Sequence, residues 1–207
     1  VLTLWYKFVI KSNTFGNSFL AVYADDFIAG FQYKEDAERY YVLLKERLKK
    51  FNLELEESKS RMIEFGRYAE VNSKRKYGKK QETFDFLGFT FYCGKGKKSG
   101  NFCVKLKTNR KKFQQKLKAV KEWLYEHQTM PVKELIMRLN TKLVGHYRYY
   151  GVSHNIAKVG AFLHFVQRYL FKVLNRRSHK QSYTWEGYIE MLKVYPLAKP
   201  KIYVKLF

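Results

Sequence analysis

Two adjacent carboxylates, Asp25 and Asp26, are the only charges in the apolar run FLAVYADDFIAGF, residues 19–31. Ionised neighbours repel and resist removal from water, so such a pair needs either full exposure or a compensating cation. The flanking residues are β-branched, aromatic and small. They predict two short strands, 19–24 and 27–31, closed by a tight Ala-Asp-Asp turn. Two readings stand side by side. Aspartate suits turns, and both acids can be solvated turn residues. Alternatively both carboxylates hold divalent metal. Mg²⁺ takes one or two protein carboxylates together with phosphate oxygens and water. A pair of such ions can activate an attacking 3′-hydroxyl and stabilise a leaving pyrophosphate. A hairpin between bulky strands supplies the fixed geometry that phosphoryl transfer requires.

The elements around this turn are readable from periodicity. Residues 1–11 suit an amphipathic helix with Leu4, Phe8 and Val1 on one face, and SNTFGNS is turn chemistry. From Asp36 to Phe51 a second helix is predicted, with Ala37, Tyr41, Leu44, Leu48 and Phe51 inward. Acids at 35, 36 and 38 and bases at 47, 49 and 50 match the macrodipole. A short strand is expected around 62–65 and a basic loop over 66–82. FDFLGFTFYCG (84–94) reads as a strand and 94–100 as a hairpin loop, with NFCVKLK (101–107) pairing back. Three helices follow, with stripes Phe113-Leu117-Val120-Leu124, Leu135-Leu139-Leu143 and Val159-Leu163-Val166-Leu170-Val173. Pro196 and Pro200 mark an extended tail. The boundary between an α+β lobe and a helical lobe is expected near 104–110.

Charge divides the chain of 207 residues unevenly. Residues 1–66 hold ten Lys/Arg and ten Asp/Glu, whereas residues 67–207 hold 31 and 8, the whole of the net +23. Aromatic residues make up 18%. A basic lobe rich in rings fits a polyphosphate partner, because cations neutralise phosphates and rings stack on bases. The basic residues cluster as Arg110-Lys111-Lys112, as Lys116, Lys118 and Lys121, and as Arg176-Arg177 with Lys180. Lys112 and Lys116 share a helix face opposite the apolar stripe. In HYRYYG, Arg148 is interleaved with rings. Tyr149 and its neighbours suit stacking on splayed bases, while Tyr147, in line with Leu143 and Leu139, is expected in the core.

Several classes are disfavoured. Cys93 and Cys103 form no CxxC pair, and no histidine stands at metal-ligand spacing beside them, so a reducing, cytoplasmic compartment without a zinc site is expected. The five histidines are scattered. No run of 18 apolar residues exists to span a membrane, and no helix-turn-helix signal marks a DNA-binding structural protein.

YADD (23–26), VLTLWYKFVIK before it, LKERLKKFNLELEESKSRMIEFGRYA after it and FDFLGFTF (84–91) occur in a characteristic order. GHYRYYGVSHN (145–155) and NRRSHKQSYTW (175–185) continue it. The set resembles the bacterial group II intron-encoded reverse transcriptase/maturase proteins over essentially the whole chain. The resemblance implies an α+β fold: part of a right-hand polymerase palm over 1–106, then a helical thumb or maturase (X) domain over 107–207. Asp25 would be the main Mg²⁺ ligand with Asp26 beside it, and Tyr23 and Ala24 would lie near the primer end. Lys59 would face the nucleotide phosphates, although Ser58 stands where the family carries an acid. Phe86, Leu87 and Gly88 would grip the primer backbone. The partners implied are intron RNA, an RNA template and a DNA primer, in splicing and mobility of the element. A palm polymerase also needs a third carboxylate on a strand before the YADD hairpin, and no Asp or Glu precedes Asp25. The reading is therefore a C-terminal part of the enzyme, with fingers and first palm half supplied in cis or in trans, that does not polymerise alone. The alternative is a non-catalytic RNA-binding module that assists splicing.

Overall fold

A computed structural model of the chain describes residues 2–96, 99–177 and 182–206. They form a mixed α/β fold with two compact units, residues 1–64 and 65–207. The expected change from α+β to helical composition near 104–110 therefore falls inside the second unit.

In the first unit, helix α1 (Leu2–Trp5) runs into a π-helical segment (Tyr6–Ile10) and a short 3₁₀ turn (Lys11–Asn13). Strands β1 (Ser18–Tyr23) and β2 (Asp26–Phe31) pair antiparallel from Ser18↔Phe31 to Tyr23↔Asp26, the hairpin expected from sequence. Helix α2 (Lys34–Lys49) follows. Tyr6, Ile10, Tyr40 and Leu44 form the core, with Leu20, Phe27, Ala29 and Phe31 of the hairpin against it. This corrects the expected stripes: Leu4 and Phe8 are exposed, and Tyr40, not Tyr41, is the buried tyrosine of α2. Both helices carry apolar residues on more than one face, so the 3.6-residue period does not by itself choose the buried one.

Asp36 is not merely an acid near a helix start. Its side chain is buried, and one carboxylate oxygen accepts the backbone N–H groups of Phe15 (3.0 Å) and Gly16 (3.2 Å). The other accepts from the Arg39 guanidinium at 3.0 Å, which also donates to the Asn13 carbonyl. A buried carboxylate is tolerable only when paired and hydrogen-bonded. Here it fixes the loop that aims β1. Gly16 is required at that loop because a Cβ would meet the Tyr33 ring at 2.7 Å.

The second unit opens with helix α3 (Ala69–Tyr77), where a loop was expected. Its sequence is polar on nearly all faces. It is supported by a Glu70–Lys74 pair and a left-handed Gly78 terminus, with Ala69 and Ser73 inward. No strand forms over 62–65. A three-stranded antiparallel sheet follows: β3 (Phe84–Phe86), β4 (Phe89–Lys95) and β5 (Phe102–Thr108). FDFLGF is thus itself a hairpin, closed at Phe86↔Phe89, rather than one strand.

Helices α4 (Arg110–Glu126), α5 (Val132–Tyr150), α6 (Ile156–Leu174) and α7 (Trp185–Val194) complete the unit. Their core holds Leu117, Leu124, Leu135, Leu139, Leu143, Val159, Val166, Leu170 and Val173, in agreement with the three expected stripes. Phe162 is buried as well, while Leu163 lies at the edge. Tyr147 is buried as expected, and its hydroxyl donates to the Ala198 carbonyl (3.0 Å). Asn140 holds the same tail through Pro196 and Ala198, and the Tyr188 hydroxyl of α7 donates to the Gln167 carbonyl. His146 stacks on Phe162 at 3.7 Å, and burial pushes its imidazole down to about 4.

Two outcomes follow. Asp36→Ala strands two backbone donors and a guanidinium, and is expected to cost about 2–4 kcal/mol, read as a lowered urea midpoint. His146 binds its proton more readily in the unfolded chain. Its stabilising contribution is full above the ordinary pKa of 6.5 and is lost as pH falls from there towards about 4. The loss is on the order of 3 kcal/mol, read by denaturant titrations at pH 7 and pH 4 on the wild type and His146→Gln, the variant showing the smaller step.

Candidate functional site

The β1–β2 hairpin has a two-residue loop, Ala24-Asp25, because Tyr23 pairs directly with Asp26. Ala24 adopts φ 53°, a left-handed conformation that a Cβ disfavours by about 1–2 kcal/mol. Along a strand, side chains alternate between faces. Leu20, Phe27, Ala29 and Phe31 pack on the helices, and Tyr23 and Asp26 pair at the hairpin mouth. Tyr23, Ala24, Asp25 and Asp26 are all exposed. Neither aspartate forms an ion pair among the described residues, so their carboxylate oxygens are free to accept a hard cation. No cluster of three metal-ligating side chains occurs among the described residues. Two carboxylates stand at this point, and no third joins them among the described residues.

Lys59 lies in an exposed turn of the same unit. Its amide donates to the Glu56 carbonyl at 3.1 Å. The Glu56 carboxylate is held below its usual range, first by the Ser58 hydroxyl and then by the Lys59 charge. The family's acid at position 58 is replaced by Ser58, whose hydroxyl bonds the Glu56 carboxylate two residues upstream.

In the second unit the Leu87-Gly88 loop closes the FDFLGF hairpin, with both residues at positive φ, 49° and 76°. A type I′ turn needs that conformation at both central positions, and glycine supplies the second without strain. Three groups bracket it. The Gly88 carbonyl accepts from Asn109 N (2.9 Å), the Leu87 carbonyl accepts from the Tyr149 hydroxyl (2.8 Å), and a Cβ on Gly88 would meet the Tyr150 hydroxyl at 3.1 Å. Phe86 is half-buried. The Tyr149 ring stacks on Phe89 at 5.8 Å and meets the Tyr150 ring edge-on at 4.8 Å, so two protein rings already pack against it.

Arg110, Lys111, Lys112 and Lys116 are exposed on α4, and none of the four pairs with an acid among the described residues. Arg148 is exposed at the end of α5. Arg176 lies over the Tyr125 ring at 5.1 Å. Arg177 is half-buried, its Nε and one terminal nitrogen have no hydrogen-bond partner, and burial holds its pKa below the usual value. Lys180 lies outside the described residues.

Sequence reasoning missed the residue that holds these parts in place. Asn155, buried before α6, accepts from Thr108 N (2.8 Å) and donates to the Thr108 hydroxyl and the Tyr150 carbonyl (2.8 Å each). It ties β5 and the ends of α5 and α6 together. An asparagine just before an apolar-periodic run signals a helix cap, but this side chain bonds across elements instead.

Comparison with known proteins gives two matches. The model for reverse transcriptase (RNA-dependent DNA polymerase) matches residues 2–91. The model for the group II intron, maturase-specific domain matches residues 110–188. No curated protein and no solved structure matches the chain.

Ala24→Gly is expected to raise stability by up to about 1 kcal/mol, since glycine adopts positive φ without the Cβ penalty. A rise in thermal midpoint checks it, and an unchanged midpoint would mean that no strain is stored at this loop.

Proposed function

The chain belongs to the group II intron-encoded reverse transcriptase/maturase family, and we propose from that premise that it supplies part of a nucleotidyl-transfer site together with the surface that binds intron RNA. The observation that carries the reading is the exposed Asp25–Asp26 pair, without an ion-pair partner among the described residues, at the two-residue turn of the β1–β2 hairpin. Asp25 is the main ligand for Mg²⁺, with Asp26 beside it. The bound metal would neutralise phosphate charge and lower the barrier to attack by a primer 3′-hydroxyl. The chain's own residues do the positioning. Tyr23 and Ala24 sit where a primer end would approach, and Lys59 pairs with the nucleotide phosphates. Phe86, Leu87 and Gly88 hold the primer backbone through a turn that is braced on three sides. Arg110, Lys111, Lys112, Lys116, Arg148, Tyr149, Arg176, Arg177 and Lys180 contact intron RNA. Residues 1–106 act as the palm portion and 107–207 as the thumb or maturase portion. No helix among the described residues is long and apolar enough to cross a membrane, and the site of action in this reading is the bacterial cytoplasm.

A two-metal polymerase site needs a third carboxylate, and none joins Asp25 and Asp26 among the described residues. The chain by itself is therefore expected not to extend a primer. The same observation favours a second reading, in which the chain is an RNA-binding maturase module and the aspartates are idle. Asp25→Ala separates the two in a protein reconstituted with a carboxylate-bearing palm strand. Loss of Mg²⁺-dependent primer extension with RNA affinity intact supports the catalytic reading. Extension that survives the substitution removes it.

The RNA surface has its own test. If six to ten phosphates are contacted, affinity for single-stranded intron RNA falls about 10³- to 10⁵-fold between about 50 and 200 mM salt. A flat response in a filter-binding titration would remove the electrostatic reading.

A further inference from the structure

At the junction of the sheet with α4 and α6 lies an open cleft of about 590 Å³. One part of its lining is cationic: Lys107 from the end of β5, Arg110 and Lys111 from the start of α4, and Lys158 from the start of α6. None of these four pairs with a carboxylate among the described residues. Lys158 instead stands over the Phe113 ring and Lys107 over the Tyr92 ring. As the opening amides of α4, those of Arg110 and Lys111 have no backbone acceptor among the described residues, whereas Lys112 N is capped by the Asn109 side chain and Phe113 N donates to the Asn109 carbonyl. The Asn155 bracket fixes the spacing of β5 and α6, and so of Lys107 and Lys158.

The rest of the cleft carries a different group. Asp85 of β3 is exposed there, and one carboxylate oxygen accepts the Thr90 hydroxyl across the β3–β4 pair. No cation comes within 4.0 Å of it among the described residues. Four unpaired cations and one unpaired carboxylate thus line a single cleft without neutralising one another. A pure phosphate pocket has no use for that acid, which repels anions. A ribose-phosphate backbone uses both: cations and helix amides take the phosphate, and a carboxylate accepts the 2′-hydroxyl that distinguishes RNA from DNA.

We propose that this cleft binds a ribose-phosphate segment of RNA, with Lys107, Lys158 and the start of α4 on the phosphate and Asp85 on the ribose 2′-hydroxyl. The inference rests on the RNA-binding reading above and adds an RNA-over-DNA preference assigned to Asp85.

The test titrates a labelled single-stranded RNA, and the DNA of the same sequence, against the full chain at several salt concentrations. The wild type is expected to prefer RNA. The double variant Lys107→Gln/Lys158→Gln is expected to bind RNA about tenfold more weakly and to lower the salt slope by about one. Asp85→Ala is expected to cut the RNA-to-DNA affinity ratio about threefold or more, while Asp85→Asn, which keeps an acceptor, retains the ratio. All three positions are exposed, and thermal unfolding of each variant separates lost binding from lost folding. A double variant with wild-type affinity and slope overturns the proposal. So does an Asp85→Ala chain whose RNA and DNA affinities shift by the same factor, since that is simple charge removal. A wild type with no RNA affinity overturns the underlying RNA reading and this inference with it, whereas failure of the variants alone leaves the RNA reading standing.

Discussion

Mutual repulsion among cations is the constraint around which the larger unit is built. Residues 67–207 hold 31 Lys/Arg against 8 Asp/Glu, and like charges at such density oppose the compact state. The unit therefore joins its parts with neutral groups. Its core is aliphatic, with Leu135, Leu139, Leu143, Val159 and Leu170 fully buried. Its polar joints are the amides of Asn155 and Asn140 and the phenols of Tyr147 and Tyr188. Several cations lie against rings rather than acids, as Lys142 does over Trp123 and Arg176 over Tyr125. A cation over a ring keeps its charge. The positive field of the unit is thus preserved.

The smaller unit solves a different problem. Its charges balance, and one carboxylate, Asp36, is spent inside it to hold the loop before β1. That leaves Asp25 and Asp26 exposed at the far end of the same hairpin. The two kinds of acid illustrate one rule from opposite sides. A buried carboxylate must be fully bonded by protein, and an exposed one without a protein partner is available to something else.

Much of this was legible because long, strongly periodic segments carry their own assignment. The Leu135-Leu139-Leu143 stripe is bordered by polar residues, so one side turns inward, whereas α6 carries apolar residues on more than one face and buries Phe162 in place of the expected Leu163. The YADD hairpin was legible from strand composition around a turn. Residues 2–10 were harder, because Leu4, Tyr6, Phe8 and Ile10 are all apolar and tertiary contact with Tyr40 and Leu44 selects Tyr6 and Ile10. Helix α3 was missed for the opposite reason: AEVNSKRKY has little apolar contrast, and its ion pair and glycine terminus sustain it. Among the site residues, Asp25 and Asp26 announce themselves as charges in an apolar run. Lys107 and Lys158 are 51 positions apart and unremarkable in sequence. Only the junction made by Asn155 sets them around one cleft with Asp85.

The braced Leu87-Gly88 turn has a mechanical meaning. Its two carbonyls are bonded to Asn109 at the head of α4 and to Tyr149 at the foot of α5, with Tyr150 packed against its glycine. Swinging those helices away from the sheet would have to break both bonds together. The turn and the bundle therefore travel as one lever arm, and a pull on whatever the helices grip is transmitted to whatever the turn touches.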